Sequence, residues 1–479
     1  MLSEELRELV KRIRKQKAEG QTLEVKAAHV ECPKRLYDTL SSFSNQDSGG
    51  IIVFGLDESK GFESVGVYDL QELQKSVTNQ CNQMEPPVRA VFTDTEVDGA
   101  VICSAEIPGI DFSERPCYYK GAGRIKGSYI RVGDADQPMT DYELYSFEAF
   151  RKHLQDDVRP IERASLELLD QDILQSYILK QRTERPHFAR LQDHQILEML
   201  NITKDGVPTL AAVLNFGIYP QGYLPQLAIT AVVVPGRMIG EHESGSPRFL
   251  DNKRIEGTIK TMVEDAVVFC KRNMKVQTII DADTGKRRDK MEYPLEAIRE
   301  AILNAVIHRD YSHWTEGTPV QINFFTDRLE IHSPGSLYGR MTVEQLGHAR
   351  PDVRNPALAV MTEALGTTEN RYSGIPTIRR EMEAFGLPAP VFENKRNEFV
   401  VTLYNQMSNT VPHQEEPART LSEFCREPKS RKEIAEFLGL KTASYAMERY
   451  IKPLLENGEL EMTMPDKPKS TNQKYKAVL

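Results

Sequence analysis

The sequence predicts a multidomain α+β protein, and three observations carry that prediction. Its 479 residues amount to about three or four domains of ordinary size. Stretches with apolar residues at three- and four-residue steps alternate with short apolar runs of strand length. A polar, Pro-containing segment, 406–417, sets residues 418–479 apart.

Composition narrows the function classes. At 40% hydrophobic and 27% charged, the chain is ordinary for a globular protein. Its richest apolar run, LAITAVVVPG, is too short to span a bilayer, so no membrane partner is expected. The first residues, MLSEELRELVKRIRKQ, carry charges where a signal peptide needs an apolar core. Six dispersed cysteines with no CxxC pair suit reduced thiols in the cytoplasm rather than disulfides or a zinc site. A net charge of −9 excludes a globally basic nucleic-acid binder and leaves room for local basic surfaces.

Residues 1–152 begin with a helix, Leu2 to Lys17, in which Leu6, Val10 and Ile13 share a side. EGQTLEVKAA follows, and strand periodicity puts Glu24 and Lys26 on one face. LYDTLSSFSNQDSGG reads as a helix closing on a glycine pair, and IIVFGLDES as a buried strand ending in acids. Glu19, Glu24, Lys26 and Asp57 or Glu58 have the chemistry of a metal-dependent nuclease: carboxylates hold Mg²⁺ or Mn²⁺ and the lysine stabilises phosphate charge. The same residues suit a plain ion pair between Glu24 and Lys26, with Asp57 opening a turn. Lys120, Arg124, Lys126 and Arg131 lie in a Gly-punctuated stretch that can follow phosphates or form a solvated hairpin.

Residues 153–290 read as a connecting α/β region. RPIERASLELLDQDILQSYILKQR and LQDHQILEML are helical, Thr209–Phe216 and Leu227–Val234 are strands, and Arg254–Asn273 is a helix. Asp281–Asp289 is a charged loop. Its Gly285-Lys286 is no Walker A loop: no glycine stands five residues earlier and Arg287 follows the lysine, so helicase activity is not expected.

Residues 291–405 open with YPLEAIREAILNAVIHRDY, Tyr293–Tyr311. Pro294 suits a first helical turn, and Leu295, Ile298, Ile302, Ala305 and Val306 make one apolar face. Glu300, Asn304 and His308 recur every four residues and share a stripe. Asn is mildly unfavourable within a helix. A carboxylate one turn before an Asn is what a Mg-nucleotide site can use, the amide oxygen ligating the cation and the carboxylate orienting water, and the same stripe also suits an amphipathic helix whose polar side faces water. A strand, Val320–Phe325, turns into Leu329–Ile331 and HSPGSL. RNPALAVMTEALG is a helix, Ser373-Gly374 opens another, and FVVTLYN is a closing strand. A glycine at a helix start lets backbone N–H groups approach phosphate.

Several separated blocks carry resemblances. LEVK, SSFSNQDSGGIIVFGLDE and PCYYKGAGRIKGSYIRVGDADQPMTDYE together resemble the Schlafen/AlbA-type domain over about 130 residues. That resemblance implies an α+β nucleic-acid-binding domain; in RNA-cleaving relatives an acidic trio is catalytic, and Glu19 and Glu24 take its first two positions, with Asp57 or Glu58 the third. HRDY, IHSPG, RNP and SGI, in order with E-x-x-x-N, resemble the GHKL (Bergerat-type) ATP-binding α/β sandwich in its RecG-like C-terminal variant. The resemblance gives Glu300 the water-activating role and Asn304 the Mg²⁺ role, with Gly335 and Gly374 in the two glycine boxes. Where the family places an acid that reads the adenine amino group, this chain has Ser333, a weaker acceptor.

In residues 418–479, Ser430 and Glu433 form a capping box for a helix through Leu438, a second helix runs from Thr442 to Glu456, and two strands flank PDKPKSTNQ. The arrangement resembles a winged helix-turn-helix. Lys441, Ser444, Tyr445 and Arg449 would then meet bases, and Lys467 and Lys469 of the wing would meet phosphates. Together the segments predict a cytoplasmic, ATP- and nucleic-acid-binding regulator of transcription or defence, working as a homodimer or larger homo-oligomer. A metal-dependent nuclease controlled by ATP and a protein-interaction scaffold are the alternatives.

Overall fold

The computed structural model describes residues 1–240, 247–280, 287–367, 373–405, 424–426, 428–437, 447, 451–456, 460–464 and 473–477. The chain divides into two units, Met1–Gln406 and Met407–Leu479.

Strand alternation organises the N-terminal part of the first unit. Strands β1 (Leu23–Lys26), β2 (Gly50–Phe54), β3 (Val91–Val97) and β4 (Ala100–Ile107) form a sheet in the order β1-β2-β4-β3. Only the β1–β2 pair is parallel, with Glu24 opposite Ile52. Val25, Val53 and Ile102 face helix α1 (Ser3–Gln16) and pack on Leu6, Val10 and Ile13. Ile52, Phe54, Cys103 and Ala105 point the other way, to Leu40 and Phe43 of α2 (Tyr37–Ser44) and Leu73 and Val77 of α3 (Leu70–Asn82). The predicted glycine pair has a steric reason. Gly49 has φ +61°, and a Cβ there would lie 2.2 Å from the Ile107 carbonyl oxygen.

Thr209–Phe216 corrects the sequence reading. It is not a strand: Thr209 accepts a hydrogen bond from the Ala212 N–H and caps helix α5 (Leu210–Phe216), all seven residues of which are buried. A helix buried on every side carries no periodicity to distinguish it from a buried strand. Before it, helix α4 (Asp141–Arg151) closes the N-terminal segment.

A second sheet has six strands: β5 (Ile229–Val233), β6 (Asp251–Ile255), β7 (Val320–Phe324), β8 (Arg328–Pro334), β9 (Val391–Asn394) and β10 (Glu398–Tyr404), in the order β6-β5-β7-β8-β10-β9. The expected boundary at 290/291 falls within this one sheet, because β5 pairs in parallel with β7. Arg254 and Ile255, read as helix, belong to β6, and helix α6 begins after Thr258 (Ile259–Asn273). Arg287–Asp289, read as loop, lie in a strand, Arg287–Met291, paired with Val276–Ile280. Alternating burial along β5 and β8 gives the sheet one covered face, where α6, α7 (Leu295–Ile307) and α9 (Gly374–Ala384) pack. Helix α8 (Pro356–Ala364) packs against α5. This is the α/β sandwich expected of the segment. Among the described residues no helix is long and apolar enough to cross a membrane.

In the second unit, Ser430 and Glu433 form the predicted box: the Ser430 N–H donates to Glu433 at 2.8 Å and the Glu433 N–H to Ser430 Oγ at 3.3 Å. They open the helix Arg431–Phe437. Lys429–Ser430, Lys474–Ala477 and Leu460–Met462 make a three-stranded antiparallel sheet in that order over buried Cys425, Ile434, Ile451 and Tyr475. Lys441, Ser444, Tyr445, Arg449, Lys467 and Lys469 lie outside the described residues.

Candidate functional site

Helix α7 buries eight of its thirteen residues against the sheet and its neighbouring helices. Of the residues it leaves over, Glu296, Arg299, Glu300 and Asn304 line a cavity of about 610 Å³. Glu300, Asn304 and His308 stand along its wall, as their four-residue spacing requires. Ile331 and Ser333 of β8 and Phe399 and Val401 of β10 lie across from them, Gly374 and Ile378 of α9 close one side, and Tyr338, Asp352 and Arg354 belong to the rim.

Two glycines fit this cavity for steric reasons. A Cβ on Gly374 would lie 2.3 Å from Glu300 Oε1 and 2.7 Å from Asn304 Nδ2. The first turn of α9 therefore abuts the Glu–Asn pair only because residue 374 has no side chain. Gly335 has φ +99°, and a Cβ there would lie 2.4 Å from Asp310 Cβ.

The Asn304 amide donates to Glu300 Oε1 at 3.2 Å, which leaves its carbonyl oxygen free of that bond. Burial raises the pKa of Glu300, against the lowering effect of that hydrogen bond. Ser333 is buried and its hydroxyl donates to the Ala305 carbonyl at 2.7 Å, so its proton is committed while its lone pairs can still accept. His308 is open to the cavity yet ringed by protein. That enclosure, with Arg354 nearby, pushes its imidazole down to about 4.

Residues that the spacing argument did not single out brace the site. Asp310 accepts from Tyr142 Oη at 2.7 Å and from the Ser312 N–H at 2.8 Å, and it pairs with Arg354. Burial alone would raise its pKa, but the Arg354 charge and these hydrogen bonds hold it below the ordinary carboxylate range. Arg354 donates to the Ser336 carbonyl at 2.8 Å, and the Asn355 amide donates to the carbonyls of Ile307 and Arg309, both at 2.8 Å. The RNP block thus ties off the open end of α7, whose last carbonyls need partners. Tyr142 lies on α4, so the N-terminal segment reaches the cavity rim through one tyrosine. Arg396 to Glu143 at 2.7 Å and Arg340 to Asp111 at 3.2 Å are further contacts of this kind.

The acidic residues of the N-terminal segment are differently placed. Glu24 is buried and contacts Lys26 and, at 2.8 Å, Arg131. Glu19 accepts from the Val25 N–H at 2.7 Å, and burial together with the Glu24 charge raises it to about 7. Asp57 accepts from Ser59 and caps a short turn, Glu58–Lys60, which is the turn-opening role foreseen as the plainer reading. Among the described residues no three His, Cys, Asp or Glu side chains gather closely enough to hold a metal ion. The structure nevertheless brings most of the sequence-predicted set together: the charges of Glu24, Lys26 and Glu58 all act on Glu19, and Lys26 and Arg131 stand beside Glu24.

The basic stretch is corrected in part. Arg131 is no surface residue: it is buried, pairs with Glu24 and with Asp136 at 3.0 Å, and donates to the Leu23 carbonyl. Arg124 is half-buried and bound to Glu148 and the Leu144 carbonyl. Lys120 and Lys126 are exposed, Lys120 lying 3.2 Å from Glu85.

Three family models match separate parts of the chain. Residues 19–140 match the family described as "Schlafen, AlbA_2". Residues 317–403 match "Putative ATP-dependent DNA helicase recG C-terminal". Residues 416–477 match "Filamentation induced by cAMP protein Fic-like, C-terminal domain". The second match begins after α7, so the assignment of Glu300 and Asn304 rests on geometry. No curated protein matches the chain. Among solved structures, the DIP2311 protein from Corynebacterium diphtheriae is 20% identical with a TM-score of 0.40, over 95% of this chain and 93% of that one. The N-terminal domain of a RecG-related protein from Nitrosomonas europaea, described as a putative ATP-dependent DNA helicase, is 25% identical with a TM-score of 0.23, over 28% of this chain and 92% of that one. The chain thus joins a Schlafen/AlbA-type domain to an ATPase-like domain of the RecG C-terminal, GHKL-like kind, a pairing that points to nucleotide and nucleic-acid binding.

Proposed function

We propose that this protein is a nucleotide-responsive, nucleic-acid-binding regulator in which Mg-ATP occupies the α7–α9 cavity. The observation that carries the reading is the meeting of Glu300, Asn304 and Gly374 at one wall. Asn304 offers a carbonyl oxygen, and a Mg²⁺ ion that keeps its other positions for water and phosphate oxygens needs little more from the protein. The N-terminal amides of α9 meet the phosphates there, since only a glycine leaves them room. Glu300, when ionised, is placed to orient a water at the same end. The Schlafen/AlbA-type domain and the C-terminal unit supply the nucleic-acid contacts, and a homodimer would present two sets of them.

The rim supports the responsive part of this reading. Tyr142, Asp310, Arg354 and Ser336 form an unbroken series of contacts from α4 to the cavity. A ligand shifts such a series only if it binds one arrangement better than another. The test is fluorescence anisotropy of labelled single- and double-stranded DNA and RNA on the full chain, with and without Mg-AMPPNP. The reading expects at least a 3-fold change in affinity with nucleotide, and binding that weakens steeply with salt. Identical curves with and without nucleotide would remove the responsive role, and salt-independent affinity would favour a protein-binding scaffold.

A further inference from the structure

The nucleotide reading leaves one cavity group unused. His308 lines the cavity one helical turn beyond Asn304, and its ring has no hydrogen-bond partner among the described residues. Four residues of helix advance about 6 Å. Gly374 touches the helix at Glu300 and Asn304, so the phosphate end lies there and His308 stands at the far end. The sheet across from that end is apolar and aromatic: Ile331 pairs with Val401, and Ser333 with Phe399. It suits a planar base.

Resting on the nucleotide reading, we propose that His308 is the base-reading residue of the cavity and that it accepts adenine and guanine nucleotides alike. Ser333, also on that wall, has its proton committed to the Ala305 carbonyl and can only accept, and Arg354 is held by Asp310 and the Ser336 carbonyl. An imidazole is largely uncharged above its ordinary titration range, about 6.5. A neutral ring carries one N–H and one bare nitrogen, and which nitrogen holds the proton is free where neither has a protein partner. It can therefore accept from the exocyclic amino group of adenine or donate to the corresponding carbonyl of guanine. A site built from acceptors alone would reject the guanine carbonyl, because two acceptors would face each other without a proton.

The test is calorimetric titration of the full chain with Mg-ATP and Mg-GTP, each variant first checked for an unchanged Tm. Wild-type protein is expected to bind the two within about 5-fold of each other. His308→Ala should weaken both at least 5-fold. His308→Asp, an acceptor only, should keep ATP and lose GTP at least 10-fold. His308→Gln should bind both, since its amide can present either group. Unchanged affinities in His308→Ala, or an ATP preference above 100-fold that no His308 variant alters, would overturn the proposal. If Asn304→Ala abolishes binding while His308→Ala does not, this inference fails and the nucleotide reading stands. If wild-type protein binds neither nucleotide, both fail.

Discussion

Glu300 illustrates how a single side chain is set by its surroundings. Its pKa is raised because burial penalises the carboxylate more than the Asn304 amide stabilises it. The folded protein therefore keeps this proton to a higher pH than the unfolded chain, and the stability it contributes is lost as pH rises through the folded pKa. Glu300→Gln removes the titration. The variant should gain Tm relative to wild type at pH 8 and show a smaller difference at pH 5, while Mg-ATP binding persists. Glu24 behaves differently. It is buried with Arg131, and removing it takes away one of the two carboxylates that hold that buried guanidinium, leaving Asp136 alone to offset the charge. Glu24→Ala should thus lower the urea midpoint markedly. Any nucleic-acid cleavage lost with it would have to be read against that instability. Arg131 itself looked like a surface cation in the sequence, since burial of a charge is visible only once its partners Glu24 and Asp136 are brought to it.

At the scale of elements, what could be read depended on how local the signal was. Helix α7 was legible because Pro294 and the apolar steps at 298, 302, 305 and 306 lie within a dozen residues. The capping box at Ser430 and Glu433 was legible for the same reason. Helix α5 was not, because burial on every side erased its periodicity. The β3–β4 hairpin was passed over although its turn has an Asp-Gly signal: Asp98 and Gly99 both have positive φ, as a two-residue hairpin turn requires. The pairing of β5 with β7 joins residues about ninety apart, and no window of sequence carries it. The Asp310–Arg354 pair likewise joins the end of α7 to the loop before α8. Asp310→Ala should destabilise the first unit by about 3–5 kcal/mol in chemical denaturation, as expected for a broken buried pair. Asp310→Asn, which keeps the shape and part of the hydrogen bonding, should cost less.

For the whole molecule, the question is whether nucleotide at one sheet alters the domain built on the other. Tyr142 is the clearest connection, a single hydroxyl from α4 to Asp310. Tyr142→Phe should leave Mg-ATP affinity within about 3-fold of wild type and reduce the nucleotide-dependent change in nucleic-acid affinity by at least half. A coupling carried elsewhere would survive the change intact. The central claim lies a step earlier, at the cavity, and calorimetric titration of the full chain with Mg-AMPPNP tests it most directly. The account predicts saturable binding in wild type, at least 10-fold weaker binding in Asn304→Ala, and similar loss in Gly374→Ala, where the added Cβ would displace Glu300 and Asn304. Absence of saturable binding in folded wild-type protein, or equal binding in all three, would contradict it.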